Sequence, residues 1–320
     1  MPASLSANEL LPATAQDYVR QFDERFIALR IATEPLPWVK EIVDLFDVSS
    51  PLTRFPVNMM ALQYIETRDG NRDQDFEDRY FDLKVVEFDA GVEASLLELN
   101  AFPYKRRQWD SAPQRFLTAE MRHVSKACAA LLEAGTTSVG EDGEAFFSTA
   151  HPVASGATFS NYQTTPLAVA SIANLEAEIT AMRQQVRDEN GDLFPASPDV
   201  IMVPTGKAIG LQNLLNQQYI PSAAGTASMV NPYFQGLRVI ENPDLTDAND
   251  WYLIDTKLMN GQGFKPMVAA KYDPGRPLSY REFDETSDFF KSKGKIKVSS
   301  HLWYGFGLAF PHAIRRVVGA

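Results

Sequence analysis

Residues 111–134 constrain the fold more than any other stretch of this chain. Leu117, Met121, Val124, Cys128 and Leu131 recur at alternating steps of four and three, which sets them on one face of a helix. Arg115, Arg122, Lys126 and Glu133 mark a largely charged opposite side. Ser111 stands where a hydroxyl caps free amides, Gln114 where it reaches back, and Pro113 where a helix needs no N–H. Gly135 is placed to end the helix in the left-handed conformation. At 1.5 Å per residue the predicted rod is roughly 35 Å long. A one-sided rod of that length needs a core to lie on, and the rest of the chain must supply it.

With 320 residues, the chain is long enough for one large or two moderate domains. No apolar run approaches the ~18–20 residues that span a bilayer. The opening Met1–Leu5 lacks the basic start and apolar block of a secretory signal. The single Cys128 rules out an internal disulfide and fits a reducing compartment. A net charge of −11 argues against tight clamping of nucleic acid, yet suits a surface that lies near DNA without adhering.

In chain order, residues 1–13 read as an arm or tail. Thr14 caps a helix running to about Arg30, with Tyr18, Phe22, Phe26 and Leu29 on one face. Glu34 to Pro37 breaks it, and Trp38 to Phe46 is a second short apolar piece. Val57 to Arg68 and Tyr80 to Leu99 both read as extended, joined by a polar turn that includes Asp69-Gly70. This is a long β-hairpin, and a two-stranded hairpin is marginal by itself in water. It must therefore lie on its own domain or on a neighbouring subunit, and the residues leave both open. Asp69, Asn71 and Asp73 imitate the start of a calcium loop. Gln74 replaces the glycine and Tyr80 the bidentate glutamate, so the turn reads as solvated.

Beyond the long helix, residues 153–165 are small and polar, a loop or linker. Ser171 to Arg187 reads as a helix, Asp199 to Val203 as a buried strand, and Thr205 to Leu215 as a capped helix. After a loop over 218–236, Leu237–Ile240 and Trp251–Ile254 are further strands, so 166–258 reads as an α/β subdomain. From 259 the texture is β again. Phe264 to Lys271 and Ile296 to Trp303 are strands about a turn at Asp273–Pro277, with an apolar Gly305–Phe310 beyond. Such strands are expected to rejoin a sheet begun earlier, with the hairpin base and the long helix.

Motifs of catalysis are incomplete. Gly206-Lys207 lacks the upstream glycine of a phosphate loop, and Ala208 has no hydroxyl for magnesium. Gly305-x-Gly307 and Gly261-x-Gly263 lack the third glycine of a dinucleotide fingerprint. His123, His151, His301 and His312 form no H-E-x-x-H pair, and one cysteine builds no zinc site. Ser148 and His151 are neighbours, but a triad is a matter of geometry. No catalytic, cofactor-binding or metal-binding residue is nominated.

The order of parts (arm, long hairpin, long helix, α/β subdomain, returning strands) resembles the major capsid protein of tailed bacteriophages, the Hong Kong 97 fold. More narrowly, the chain is similar to the Mu-like major head subunit family. The residues that carry this are Asp142-Gly143-Glu144-Ala145-Phe146-Phe147-Ser148-Thr149-Ala150-His151-Pro152 and Ile201-Met202-Val203-Pro204. Asn231-Pro232, Leu237-Arg238-Val239-Ile240-Glu241-Asn242-Pro243 and Trp251-Tyr252-Leu253-Ile254-Asp255 continue it. The match covers about 110–320 well and the first hundred residues in layout.

The resemblance implies an α+β subunit with an N-terminal arm at 1–55 and an extended β-hairpin loop at 56–102. A peripheral domain at 103–165 would carry the spine helix, an axial domain would occupy 166–258, and the returning peripheral strands 259–320. It implies a non-enzymatic shell protein forming hexamers and pentamers around double-stranded DNA, which it touches weakly and non-specifically. Scaffold, portal and decoration proteins would be further partners; no membrane would be involved. No long charged leader is apparent, so scaffolding is expected from a separate protein. The setting would be the virion capsid, assembled in the host bacterial cytoplasm. An encapsulin-like cellular compartment of the same fold is the alternative, and a soluble α+β enzyme a further one.

Charge suggests where subunits meet. The hairpin turn carries Asp69, Asp73, Asp75, Glu77 and Asp78, whereas Lys105, Arg106 and Arg107, and Lys291, Lys293, Lys295 and Lys297, are basic. Subunits at −11 repel one another, so local complementarity is needed to set their register. The acidic turn is expected to dock on one of these basic stretches across a subunit boundary.

Overall fold

A computed structural model describes residues 14–32, 35–56, 80–140, 142–153, 156–187, 191–193, 196–221, 228–233, 236–263, 265–272, 280–284 and 286–320. The chain opens with α1 (Ala15–Ala32) and α2 (Pro37–Ile42), then β1 (Val43–Val48), β2 (Leu52–Pro56), β3 (Tyr80–Lys84) and β4 (Val86–Ser95). Three helices follow in close succession: α3 (Leu96–Ala101), α4 (Pro103–Asp110) and the long α5 (Ala112–Glu133). Short strands β5 (His151–Pro152) and β6 (Thr158–Phe159) precede β7 (Tyr162–Leu167) and α6 (Ile172–Gln185). Next come β8 (Val200–Pro204), α7 (Thr205–Leu215), β9 (Tyr219–Pro221), β10 (Ser228–Val230), β11 (Arg238–Asn242) and β12 (Trp251–Ile254). The remainder is α8 (Thr256–Gln262), β13 (Met267–Tyr272), β14 (Tyr280–Phe283), α9 (Asp288–Lys293), β15 (Lys295–Leu308) and β16 (Ile314–Gly319).

Two five-stranded sheets organise these elements. In the first, the 14-residue β15 is the spine. One of its edges pairs with β4 from Lys295 to Tyr304; the other pairs with β14 at 297–300 and β13 at 304–308, and β13 carries β1 in parallel. The second sheet runs β11-β8-β12-β16-β7. Helix α5 joins them. Val124, Cys128 and Leu132 share a core with Met267, Ala269 and Tyr304 of the first sheet and Met202, Tyr252, Ile254 and Ile314 of the second. On the far face of the second sheet, Leu175 and Ile179 of α6 and Leu211 of α7 bury Ile201, Leu253 and Val317. The amino half of α5 lies elsewhere: Leu117 packs with Phe22 of α1, Trp109 of α4, and Ile296 and Val298 of β15.

The long helix lies where its periodicity predicts, but its ends are made differently. Ser111 is helical itself (φ −90, ψ −8), because α4 runs almost directly into α5, and its hydroxyl donates to the Gln108 carbonyl at 2.9 Å rather than capping. Gly135 is not left-handed, and a 3-10 turn over Ala134–Thr136 ends the helix. The glycine is required for space instead. A Cβ there would come within 2.7 Å of the buried Phe147 ring.

The amino-terminal residues pack on the body. Thr14 and Asp17 exchange bonds at the start of α1: the Asp17 amide donates to Thr14 Oγ1 at 3.2 Å and the Thr14 amide to Asp17 Oδ2 at 3.1 Å. Tyr18, Phe22 and Phe26 are buried as their spacing predicts. The extended reading of Tyr80–Leu99 holds only to Ser95. β3 pairs with β2, β4 departs to the first sheet, and Leu96–Ala101 is helical. Leu96, Leu97 and Glu98 are good helix formers without strand alternation, and Leu99 is buried by the helical turn. The returning strands divide likewise. β15 does rejoin β4 and α5, whereas β16 crosses into the second sheet after a 3-10 turn at Pro311–Ala313.

Candidate functional site

The two basic stretches flank one small core. Trp109 of α4, Phe290 of α9, and Ile296 and Val298 of β15 meet there, so α4 and α9 rim the same end of the first sheet. Their charges are partly spoken for within the chain. Lys105 Nζ lies 3.5 Å from the Glu98 carboxylate, and the Arg106 guanidinium lies 5.9 Å from the Tyr18 ring centre. Lys291 lies 3.9 Å from Asp288, Lys293 stands 5.2 Å from the Phe289 ring centre, and Lys295 donates to Glu93 at 2.5 Å. The hydrogen bond from Lys295, then its charge, holds the exposed Glu93 carboxyl below the usual carboxylate range. Arg107 is exposed. Between α4, α5 and β4 runs a groove of about 350 Å³ lined by small residues of β4 with Glu93, Glu98, Lys105 and Arg115 at its rim. Asp69, Asp73, Asp75, Glu77 and Asp78 lie outside the described residues, as does the turn at Asp273–Pro277.

Exposed apolar side chains mark further surface. Leu97, Phe102 and Tyr104 project from α3 and α4 beside the basic residues; Ile209 projects from α7, and Tyr219 and Val230 face one another across the β9–β10 pair. In an isolated subunit these groups meet water. Single exposed hydrophobes are ordinary, but Leu97, Phe102 and Tyr104 stand together in sequence and Tyr219 pairs with Val230, which suits contact with other chains.

The DGEAFFSTAHP stretch is a buried junction. Phe146 and Phe147 pack edge to face with centres 4.9 Å apart, and Phe147 presses on Gly135. His151 is 1 % exposed; its Nδ1 lies 2.6 Å from Asp142 Oδ2 and its Nε2 3.1 Å from Asn161 Oδ1. Asn161 donates through Nδ2 to the carbonyls of Phe146 and Pro311, and its Oδ1 accepts from the Ser148 amide at 3.0 Å. That fixes the amide orientation, so His151 Nε2 faces an acceptor and donates to it. Burial works to raise the Asp142 carboxyl, but the bond and charge of His151 outweigh it and leave the group below its ordinary range. Ser148 uses its hydroxyl to accept from the Ala150 amide, and His151 is committed to Asp142 and Asn161, so this pair makes no nucleophile. His312 packs on the same Phe159 ring as His151, and among the described residues no three His, Cys, Asp or Glu side chains gather as a metal site. Lys207 of the phosphate-loop-like pair reaches the Ala320 carbonyl at 3.0 Å.

Two buried arginines were not singled out by sequence reasoning. On β16, Arg315 donates to Glu178 of α6 at 2.7 Å, while Arg316 on the opposite face lies 2.7 Å from Asp250. Adjacent strand residues point to opposite faces, so this one dipeptide pins both sides of the sheet. The signal was an Arg-Arg pair flanked by Ala-Ile and Val-Val, a charged step inside an apolar strand.

Comparison with known proteins adds the wider frame. A family model described as phage capsid protein matches residues 97–317. No curated protein matches the chain. Among solved structures, the procapsid of bacteriophage JBD30 is similar at a TM-score of 0.53 and 15% identity, covering 97% of this chain and 77% of that one. The capsid of bacteriophage JBD30 is similar at 0.51 and 15% identity, covering 77% of this chain and 100% of that one.

Proposed function

This chain belongs to the phage capsid protein family, with the Hong Kong 97 type of fold, and from that membership we propose how it is used. Copies join as hexamers and pentamers into an icosahedral shell around double-stranded DNA, with no catalytic step. Assembly takes place in the host bacterial cytoplasm, and scaffold, portal and decoration proteins act on the shell from outside the chain. The carrying observation is the family match across residues 97–317. Residues 1–55 serve as arm and 56–102 as the extended loop. The spine helix belongs to the peripheral part, 103–165 with 259–320, and 166–258 is the axial part.

Contact between subunits follows from charge. The acidic Asp69, Asp73, Asp75, Glu77 and Asp78 of one copy dock on Lys105, Arg106 and Arg107, or on Lys291, Lys293 and Lys295, of the next. The nearby exposed Leu97, Phe102 and Tyr104 support this reading, since they supply apolar area that charges alone do not. Each contact is modest, but a closed shell repeats it many times.

Size-exclusion chromatography and negative-stain imaging of the purified chain test the reading. The 35.7 kDa subunit is expected near the void volume as uniform hollow particles; a small, discrete oligomer at high concentration overturns it. Shells loaded with a cargo protein instead of DNA point to a cellular compartment. Reversing Lys105, Arg106 and Arg107 to Glu should block assembly with the subunit still folded, and normal shells remove that stretch from the contact.

A further inference from the structure

Helix α5 has one face that neither core nor ion pairs consume. Arg115, Arg122 and Lys126 follow at steps of seven and four, so they lie within about 40° of one another around the axis. All three are exposed, and among the described residues none of their side chains has an ion-pair or hydrogen-bond partner. Of the acids of the same helix, Glu120 is turned away, while Glu133 continues the same face one step of seven beyond Lys126, and both are engaged. Glu120 accepts from Lys271 at 2.7 Å and Tyr304 at 2.8 Å; Glu133 accepts from Thr246 and the Asp247 amide. The carboxylates that share the groove with Arg115 are also engaged, Glu93 by Lys295 and Glu98 by Lys105. In a chain of net charge −11, the amino two-thirds of this helix is therefore a local stripe of three uncompensated positive charges.

We infer that this stripe is the surface on which the subunit meets the phosphate backbone of duplex DNA. The inference rests on the capsid reading and adds to it the residues that face the packaged polymer. The cations are spaced about 10 Å and 6 Å along the axis, a scale on which a straight helix meets successive phosphates of a duplex. A protein partner is the poorer fit. The exposed positions among the cations are Gln114, Thr118, Ala119 and Ala130, with no large exposed apolar residue anywhere on α5. Specific protein interfaces depend on such anchors. Small neighbours also leave the cations as the highest points of the surface, where a rod-like polyanion touches them without obstruction. The surrounding negative charge keeps the contact weak and free of sequence preference.

The test compares the full chain with its R115Q/R122Q/K126Q variant, since Gln keeps helix propensity. Binding of a fluorescein-labelled 30-bp duplex of random sequence is followed by anisotropy from low to moderate salt, alongside negative-stain scoring of shells. The variant should lose at least tenfold in affinity at low salt. Its plot of log affinity against log salt should be shallower by about 2–3, the loss of three phosphate contacts at ~0.9 each. Shells should form as before. Equal affinity and slope overturn the inference, as does a wild-type chain that binds no duplex. Loss of shells by a folded variant makes the stripe a subunit contact, and loss of labelled polyglutamate binding with duplex binding intact makes it a site for acidic protein; either overturns it. Failure of the wild-type chain to form shells counts against the capsid reading alone, because the duplex measurement is made independently.

Discussion

Arg316 Nη1 donates to the backbone carbonyl of Glu133 at 2.7 Å, so a side chain in the middle of the second sheet closes the last turn of α5. The same guanidinium holds Asp250 at 2.7 Å, and the Asp250 carboxylate also accepts from the Gly319 amide. The Phe147, Tyr162 and Tyr252 rings surround it at about 6 Å. One residue thus ties the long helix, the sheet and the strand end together.

Replacing Arg316 with Met should destabilise the subunit by about 3 kcal/mol, because it strands a buried carboxylate and an open helix end. Urea unfolding of the disassembled subunit measures this. A loss below about 1 kcal/mol would show that the joint is held by packing alone.

Asn161→Ala removes the donor to two buried carbonyls and the acceptor of the Ser148 amide and His151. A cost of about 3 kcal/mol is expected, from several buried groups left unpaired. Thermal melting reads it. The conservative Asn161→Gln should not restore stability, since the longer side chain cannot keep all four bonds.

Asp142 gives the junction a pH dependence. Its carboxyl sits lower in the folded chain than in the unfolded one, so its stabilising share is complete above the ordinary carboxylate range and is lost as pH falls through the folded value. Asp142→Asn should therefore narrow the difference in urea midpoint between neutral pH and about pH 3. An unchanged difference would mean that other carboxylates govern acid unfolding.

Gly135→Ala tests whether space, not backbone conformation, demands the glycine. The new methyl meets Phe147 Cδ2 at 2.7 Å and Cε2 at 2.9 Å. Overpacking of this kind costs about 1–3 kcal/mol. A double mutant with Phe147→Leu should cost less than the two single changes summed; additivity would place the strain elsewhere.

Burial pushes the Cys128 thiol up to about 12. Iodoacetamide at pH 8 should leave it unmodified in the folded chain and alkylate it in urea, as mass spectrometry will show. Rapid labelling without denaturant would mean that α5 opens locally.

Much of this molecule is legible because its cores are periodic. The face of α5 and the aromatic row Tyr18–Phe22–Phe26 follow from spacing that only a helix satisfies, and the strand Trp251–Ile254 from a short, unbroken apolar run. The failures share a cause: each depends on a residue distant in sequence. Ser111 looks like a cap until α4 arrives beside it, Gly135 like a terminator until Phe147 leans on it. Asn161 lies in a stretch that reads as a linker, since nothing local says that Phe146, Ser148 and Pro311 converge on its amide. The basic stretches were visible as charge, but their sharing of one core around Trp109 and Phe290 is a property of topology.

The position of β16 between β12 and β7 has a consequence for synthesis. The ribosome makes both neighbours first, so this sheet has a gap between β12 and its edge strand β7 until residues 314–319 emerge. A nascent subunit is held short of its final shape by its own strand order.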